Sequence, residues 1–419
     1  MRFRLIPAVA AVLALSLTAR AADDAVLHAR DLLAHHILID GHNDLPWAIR
    51  EAKTAPGDVA AYDLRTKAAG QTDIPRLKAG RVGGQFWSVY VPGEVKEGWA
   101  RLQLEQIELT RRIVDRYPET FALALTADDA EKAFKAGKIA SFIGMEGGHV
   151  LENSLGALRA YYALGARYMT LTHNTSLAWA DSATDPPARH GGLTKFGEEV
   201  VHEMNRLGML VDLSHVAPET MRAALRVSEA PVIFSHSSAR AICDVPRNVP
   251  DDVLQLLPKN GGVVMIAFVT GFVSPEAAKV LMPAFQEFNA RARTLGSEKE
   301  RDALWKEIFA PLKVPKATVA QVADHVEHVR KVAGVDHVGL GADYDGNDSW
   351  PVGLEDVSTY PNLFAELIRR GWSDADLVKL AGGNVLRALR RAEAVATKLQ
   401  ASRPPSTATL ESLDGPPGK

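Results

Sequence analysis

Eight short apolar segments recur along the chain, and a stretch with helical periodicity separates most of them from the next. Segments of this kind, rich in β-branched residues and bounded by turn residues, are typical of buried strands. Strands that alternate with amphipathic helices predict an α/β protein with a parallel sheet, and eight repeats predict a closed (β/α)₈ TIM barrel. The predicted strands are 37–44, 86–91, 140–147, 168–173, 209–215, 231–236, 262–268 and 337–345.

An open, doubly wound sheet is the alternative fold. Such a sheet normally has fewer strands and a glycine-rich phosphate-binding turn after the first of them. The candidate sequence for that turn, GRVGG at 80–84, precedes a strand instead of following one. A chain of 419 residues with 47% hydrophobic side chains is large enough to bury the core of a barrel. The sequence therefore favours the closed barrel.

The N-terminus has the features of a secretory leader. Arg2 and Arg4 precede the apolar stretch LIPAVAAVLALSL, and ARA at 19–21 is a small-x-small cleavage sequence. Residues 1–21 are predicted to be a signal peptide, because the apolar stretch is shorter than the roughly 20 residues of a bilayer span. We expect a periplasmic or secreted protein without stable membrane insertion.

Two further segments depart from the barrel pattern. Residues 22–400 are predicted to form a single domain, within which 270–316 is a long excursion rich in helix formers. This excursion is either a packing element on the rim or a cover for the site. The tail at 401–419 is rich in proline, serine and glycine and is predicted to be disordered.

The charge balance argues against a nucleic-acid partner. Removal of the leader and its three arginines leaves 45 basic and 51 acidic residues, a formal charge of −6. The one cysteine, Cys243, cannot form an intramolecular disulfide. The fold must therefore depend on its core.

Ionisable residues end six of the eight predicted strands. In a barrel, the C-terminal ends of all strands open on one face, so these distant side chains are expected to meet there. They are His42 and Asp44, Glu146, His173, His215, His236 and Asp343.

Imidazoles and carboxylates without thiolates suit zinc or a similar divalent ion. His42 and Asp44 are two residues apart on one strand and so face the same way. A single histidine at a strand end is more often a hydrogen-bonded core or rim residue, and other histidines such as His325 are placed on helix surfaces. The joint pattern favours a metal site, and two metals sharing a carboxylate fit this number of ligands better than one.

These residues lie in motifs that resemble those of the membrane (renal-type) dipeptidase family, a binuclear zinc branch of the amidohydrolase-like barrels. The resemblance covers roughly Ala25 to Leu399. Its motifs are DGHNDLPW, TDIPRLKAGRVGGQFWSVYVP, GMEGGH, LTHN, GMLVDLSHV, FSHSSARAICDVPRNVPDD and HVGLGADYDG.

The resemblance implies a role for each site residue. His42 and Asp44 would bind one Zn²⁺ and His215 and His236 the other, with Glu146 bridging the two. Three further residues would act on the substrate: His173 would face the scissile carbonyl, Arg247 would hold the terminal carboxylate, and Asp343 would be the acid/base. The chain lacks the cysteines and the anchoring tail of mammalian members, so disulfide-linked dimerisation is not carried over, although a homodimer remains possible.

The function implied is that of a zinc-dependent dipeptidase whose metals bridge a hydroxide nucleophile, with a D-residue accepted at the C-terminal position of the substrate. Two alternatives remain open. A metal-dependent amidase or β-lactam hydrolase would use the same ligands, and an exported binding protein would keep the barrel without catalysis. Hydrolysis of dipeptides separates these possibilities.

Overall fold

The computed structural model of the chain describes residues 24–93, 98–292, 294–295 and 298–415. The predicted signal peptide at 1–21 lies outside the described residues. Nine strands form one parallel sheet. They are β1 (Leu38–Asn43), β2 (Val82–Ser88), β3 (Phe121–Leu123), β4 (Ile139–Glu146), β5 (Ala166–Thr170), β6 (Leu210–Asp212), β7 (Val232–Ser237), β8 (Val263–Ile266) and β9 (Val338–Leu340).

Helices follow most of the strands. They are α1 (24–35), α2 (Leu45–Arg50), α3 (Ile74–Ala79), α4 (Trp99–Arg116), α5 (Ala127–Lys135), α6 (Leu155–Ala163), α7 (Lys195–Leu207), α8 (Pro218–Val227), α9 (Asp251–Leu254), α10 (Leu257–Asn260), α11 (Thr270–Val273), α12 (Pro275–Ala292), α13 (Glu298–Phe309), α14 (Val319–Ala333), α15 (Tyr360–Arg369), α16 (Asp374–Val378), α17 (Asn384–Ser402) and α18 (Leu410–Asp414). Short polar residues begin several of them: the Thr194 side chain accepts a hydrogen bond from Gly197 N at the start of α7, and Thr318 forms a capping box with Gln321 at the start of α14.

Eight of the strands close into a barrel, which confirms the predicted fold. β1 pairs with β2 on one side and with β9 on the other, and β2 pairs directly with β4. The order around the ring is therefore β1, β2, β4, β5, β6, β7, β8, β9. Every pairing is parallel, so all eight strands end on the same face.

The ninth strand, β3, was not predicted from the sequence. It pairs with β4 at Ile139–Ser141, while β5 takes the later part of β4 from Ile143 onward. β3 thus extends the sheet beside the start of β4 without joining the ring. The predicted strand at 86–91 also starts later than the observed strand β2, which already pairs with β1 at Val82.

Buried aromatic rings fill part of the barrel interior. Phe86 and Phe142 stack at 4.6 Å between ring centroids, and Tyr168 lies 5.3 Å from Phe86. Close approach requires glycine at position 144, since a Cβ there would lie 2.1 Å from the Tyr168 ring. The Tyr168 hydroxyl is thereby directed toward the site described below.

The tail differs from its prediction of disorder. In the described part, residues 401–415, Leu410 is buried and α18 contacts α7. The Asp414 carboxylate accepts a hydrogen bond from Phe196 N at 3.3 Å, and the Ser406 carbonyl accepts one from Arg159. One apolar anchor and two polar contacts thus order a segment of disorder-prone composition, while 416–419 lie outside the described residues.

The remaining differences concern helices. The excursion at 270–316 contains α11, α12 and α13, and the last two lie over the open end of the barrel. His325, placed on a helix surface by the sequence, is fully buried. Among the described helices, none combines the length and apolar content needed to cross a bilayer.

Candidate metal centre

The predicted site residues lie at or just beyond the C-terminal ends of six barrel strands. His42, Glu146 and His236 belong to β1, β4 and β7. The other side chains follow their strands in loops: Asp44 comes after β1, His173 after β5, His215 after β6 and Asp343 after β9. Their convergence was predicted, but the predicted strands 168–173, 209–215 and 337–345 extend past the true strand ends at Thr170, Asp212 and Leu340.

One half of the site is built around His42. Its Nε2 atom lies 3.3 Å from Asp44 Oδ2 and 3.5 Å from Glu146 Oε2. The register of β1 against β2 shifts between Asp40 and Asn43, and such irregularities re-aim side chains at barrel rims. His42 and Asp44 therefore face the same space, as their spacing predicts.

The other half is built around the second carboxylate oxygen of Glu146. Oε1 lies 3.0 Å from His215 Nε2 and 3.5 Å from His236 Nε2. The two Nε2 atoms are 2.9 Å apart. Glu146 thus separates two groups of ligand atoms and presents one oxygen to each, the arrangement required of a bridging carboxylate.

A contact at the Nδ1 atom of each of these three imidazoles fixes the orientation of the ring. His42 Nδ1 lies 2.8 Å from the Tyr168 hydroxyl, His215 Nδ1 lies 3.2 Å from Asn174 Oδ1, and His236 Nδ1 lies 2.8 Å from Ser235 Oγ. Ser235 Oγ in turn donates to Asp212 Oδ2 at 2.6 Å. Contacts at Nδ1 leave Nε2 to face the site, which is how metal-ligating histidines are held.

The residues present fit divalent cations. His42 Nε2 is fully buried and has no hydrogen-bond partner among the described residues. At 2.9 Å, His215 Nε2 and His236 Nε2 place the ligand atoms of two buried imidazoles side by side. Buried polar atoms are normally satisfied, and cations held by these ligand atoms would satisfy them. Two groups share Glu146: His42, Asp44 and Glu146, and Glu146, His173 and His215.

The electrostatics of the site also favour a cation. Burial lowers the pKa of His215 and His236 well below the usual value, so both rings are neutral, as ligands must be. Burial acts to lower the pKa of His42 too, but the electrostatic effects of Tyr168, Glu146 and Asp44 together raise it well above its usual value. The carboxylates therefore attract positive charge to the position beside His42 Nε2.

Asp343 lies at the edge of this cluster. Its Oδ1 atom is 4.0 Å from His42 Nε2, and its backbone φ of 70° is left-handed. Burial, with the charges of Asp44 and Glu146, raises the pKa of Asp343 well above the usual value of a carboxyl group. A carboxyl group placed in this way can both accept and release a proton near the ligands.

His173 and Arg247 line the cavity beside the candidate ligands. His173 Nε2 is 3.7 Å from Glu146 Oε1. Arg247 is buried, Nη2 donates to the His236 carbonyl at 3.4 Å, and Nη1 has no hydrogen-bond partner among the described residues. Burial lowers the pKa of Arg247 to about 10, so it stays charged at neutral pH. The unsatisfied Nη1 is suited to an anionic ligand.

These side chains open into a cavity of about 910 Å³. Trp47 and Tyr90 form one wall, with ring centroids 5.0 Å apart, and Tyr90 lies 4.9 Å from the His173 ring. The helices α12 and α13 supply the opposite wall. Such a cavity is large enough for a small ligand of several tens of atoms.

Asp345 has a different role from Asp343, although both lie in the DYDG motif. Asp345 Oδ1 accepts a hydrogen bond from Gln71 N at 2.7 Å, and Asp345 N donates to Gln71 Oε1 at 3.0 Å. The carboxylate therefore joins the loop that follows β9 to the loop that carries Gln71.

Sequence reasoning missed the residues that hold the ligands in place. Asp212, Ser235 and Tyr168 lie inside predicted apolar strands and are all fully buried. Burial raises the pKa of Asp212, which accepts hydrogen bonds from Ser235 N at 2.7 Å and Ser214 N at 3.1 Å. The sequence did contain a signal for these residues: each is a carboxylate or hydroxyl residue inside an apolar segment that also contains a predicted site histidine.

Comparisons with known proteins agree with this architecture. Residues 26–403 match the family described as membrane dipeptidase (peptidase family M19). The chain is 44% identical over 368 residues to dipeptidase 3 of Mus musculus, which covers 86% of this chain and 65% of that protein. The chain therefore spans slightly less than two thirds of the length of this relative.

Two solved structures are similar in fold. The probable dipeptidase PvdM from Pseudomonas aeruginosa superimposes with a TM-score of 0.77 at 25% identity, over 89% of this chain and 100% of that one. A metallo peptidase from Rhodobacter sphaeroides, liganded with a phosphinate mimic of the dipeptide L-Ala-D-Ala, has a TM-score of 0.69 at 23% identity, over 85% of this chain and 99% of that one. Since the family model matches residues 26–403, which include every strand of the barrel and well over half of the chain, the chain belongs to the membrane dipeptidase family, peptidase family M19.

Proposed function

We propose that this chain is an exported, two-zinc dipeptidase that hydrolyses the peptide bond of short substrates with a free C-terminal carboxylate. The observation that carries the proposal is the position of Glu146 between two sets of ligand atoms, with the buried guanidinium of Arg247 opening into the same cavity. His42 and Asp44 would hold one ion, and His215 and His236 the other. When bound, the ions supply Lewis-acid chemistry that polarises a carbonyl and acidifies water.

The side chains of the site divide the remaining work among them. Arg247 binds the substrate carboxylate through its planar fork and so fixes the distance from the C-terminus to the scissile bond. His173 donates a hydrogen bond to the carbonyl oxygen as negative charge develops there. Asp343 accepts the proton of the attacking water and returns it to the leaving amine.

Metal analysis coupled to a substrate panel tests the proposal. The panel contains L,L-dipeptides, L,D-dipeptides including L-Ala-D-Ala, an N-acyl amino acid and a β-lactam. We expect about two zinc ions per chain and dipeptide hydrolysis that is lost with chelator and restored by zinc. Turnover of only the N-acyl amino acid or the β-lactam would assign the site to an amidase, and bound zinc without any turnover would indicate a binding protein.

Arg247→Lys tests the carboxylate site separately. A lysine keeps the charge but loses the bidentate geometry, so we expect kcat/KM for dipeptides to fall at least 10-fold while zinc content stays unchanged. Arg222→Lys is the matched control, because Arg222 is exposed on α8 and pairs with Asp252 at 2.7 Å. Equal kinetics for Arg247→Lys and the control would reject the assigned role.

A further inference from the structure

An apolar wall lies beside Arg247 in the cavity. It is formed by Phe272 of α11, by Met282, Phe285 and Phe288 of α12, and by Trp305 of α13. Two polar side chains of α12, Gln286 and Asn289, and residues of the candidate metal centre line the same cavity. No step of the proposed mechanism uses this wall, so a separate role in substrate recognition has to be considered.

The helices that carry the wall form their own small apolar cluster. Phe288 lies 5.1 Å and Phe285 5.8 Å from Trp305 between ring centroids, and Phe309 stacks on Trp305 at 4.0 Å. Trp305 Nε1 donates a hydrogen bond to Asp348 Oδ2 at 3.1 Å, on the loop that follows Asp343. The rings are thus held at a defined position relative to the loop that carries the acid/base residue.

The position of Arg247 decides which part of a substrate meets this wall. The guanidinium carbon of Arg247 lies 5.1 Å from the Phe272 ring, and Met282 packs against the cluster that contains Phe272. A carboxylate bound by Arg247 is attached to the Cα atom of the C-terminal residue, and the side chain of that residue starts from the same atom. That side chain is therefore within reach of the apolar wall beside Arg247.

We propose that this wall is a subsite for a large apolar side chain on the C-terminal residue of the substrate. The proposal rests on the proposed function and specifies its substrate class: dipeptides ending in an aromatic or long aliphatic residue. Half-buried Phe285 and Trp305 lose contact with water when such a side chain enters, and a glycine at that position leaves the same surface wet.

The test compares kcat/KM for L-Ala-L-Phe and L-Ala-D-Phe with kcat/KM for L-Ala-Gly. We expect the zinc-loaded wild-type protein to prefer the better phenylalanine isomer by at least 10-fold. Phe285→Ala is expected to reduce this preference by roughly 10-fold, and Met282→Ala on the same wall is expected to reduce it as well. Leu104→Ala is the control, because Leu104 is an exposed apolar residue of α4 that does not line the cavity.

Each outcome has a definite meaning. A wild-type protein that hydrolyses all three substrates without preference overturns the subsite and leaves the proposed function intact. An equal effect of Phe285→Ala and Leu104→Ala also overturns it, as does a loss confined to substrates with an N-terminal phenylalanine, such as L-Phe-Gly. Absence of any dipeptide hydrolysis overturns both the subsite and the proposed function.

Discussion

The histidines proposed as metal ligands depend on neighbours that lie outside the proposed ligand set. The clearest case is His236, whose Nδ1 atom contacts Ser235 Oγ, which in turn donates to the buried carboxylate of Asp212. Asp212 is held in place by Thr170 Oγ1 and by two backbone N–H groups. The chain of contacts places the Nδ1 proton of His236 on the side away from the site, so that the Nε2 lone pair faces inward.

Ser235→Ala removes the middle member of this chain. We expect the affinity for the ion between His215 and His236 to fall by about 10- to 100-fold, because the imidazole loses the contact that sets its tautomer and orientation. Competition with a chromophoric chelator measures this affinity directly and needs no substrate. Ser238→Ala is the control, since Ser238 Oγ donates to the Ala267 carbonyl and contacts no ligand. Equal affinities in the two variants would contradict the role given to Ser235.

At the scale of elements, the strands differ from their predicted bounds where residues are buried but are not hydrogen-bonded in the sheet. In the segments LVDLSH and GLGADYD, the alternation of apolar and polar residues continues past the last residue that is hydrogen-bonded in the sheet. The alternation therefore predicts strands that are longer than those in the structure. His215 and Asp343 in fact lie at left-handed φ values of 66° and 70°. The alternation of apolar and polar residues does not predict these backbone conformations, although it did identify both residues as candidates for the site.

The missed β3 and the ordered tail have related causes. A strand of three residues, Phe121–Leu123, is too short to show alternation. The prediction of disorder for the tail used its overall composition, in which polar residues dominate. Its order depends instead on a few residues: buried Leu410 and the capping box of Thr409 with Ser412. Local signals of this kind are present in the sequence, but they predict an ordered segment only when the element against which it packs, here α7, is known.

His325 joins three elements and makes a stability prediction possible. On α14, its Nδ1 accepts a hydrogen bond from Ala239 N after β7, and its Nε2 donates to the Val273 carbonyl of α11. Burial lowers the pKa of His325 from 6.5 to about 4, so the ring is neutral in the folded protein. Below pH 6.5 the unfolded chain binds a proton that the folded chain does not, and the free energy of unfolding falls with pH until about pH 4.

We expect this one residue to account for a loss of about 2 kcal/mol in the free energy of unfolding between pH 7 and pH 5. His325→Gln keeps an acceptor and a donor but does not titrate. Its free energy of unfolding should therefore fall by about 2 kcal/mol less than that of the wild type over the same interval. Urea unfolding at both pH values measures the difference, with chelator present so that metal release does not contribute. Parallel losses in the two proteins would show that His325 is not the titrating group.

At the scale of the whole molecule, a closed ring of parallel strands makes the site predictable from a linear sequence. Closure brings the ends of all strands to one face, so residues from position 42 to position 343 had to meet if the barrel formed. The cap formed by α12 and α13 was less predictable. Its helices follow from composition, but their position over the cavity depends on contacts such as that of Trp305 with Asp348.

The same closure couples metal binding to the stability of the entire barrel. The proposed ligands come from β1, β4 and β7 and from the loops that follow β1 and β6, so bound ions connect opposite parts of the ring. Without them, the buried carboxylates of Asp44 and Glu146, the partly buried carboxylate of Asp343 and three buried imidazoles lie together at the open end. A ligand that binds only the folded state stabilises it by about 4 kcal/mol per site at 1,000 times its Kd.

We therefore expect saturating zinc to raise the Tm of the chelator-treated protein by about 5 °C per occupied site, as measured by calorimetry. Glu146→Gln removes the charge that the two groups of ligands share and should lose most of this increase. Arg247→Lys, which alters no proposed ligand, should keep it. A Tm that does not respond to zinc in the wild type, or an undiminished response in Glu146→Gln, would mean that the buried cluster is not held together by cations, because Glu146 presents one oxygen to His42 and the other to His215 and His236.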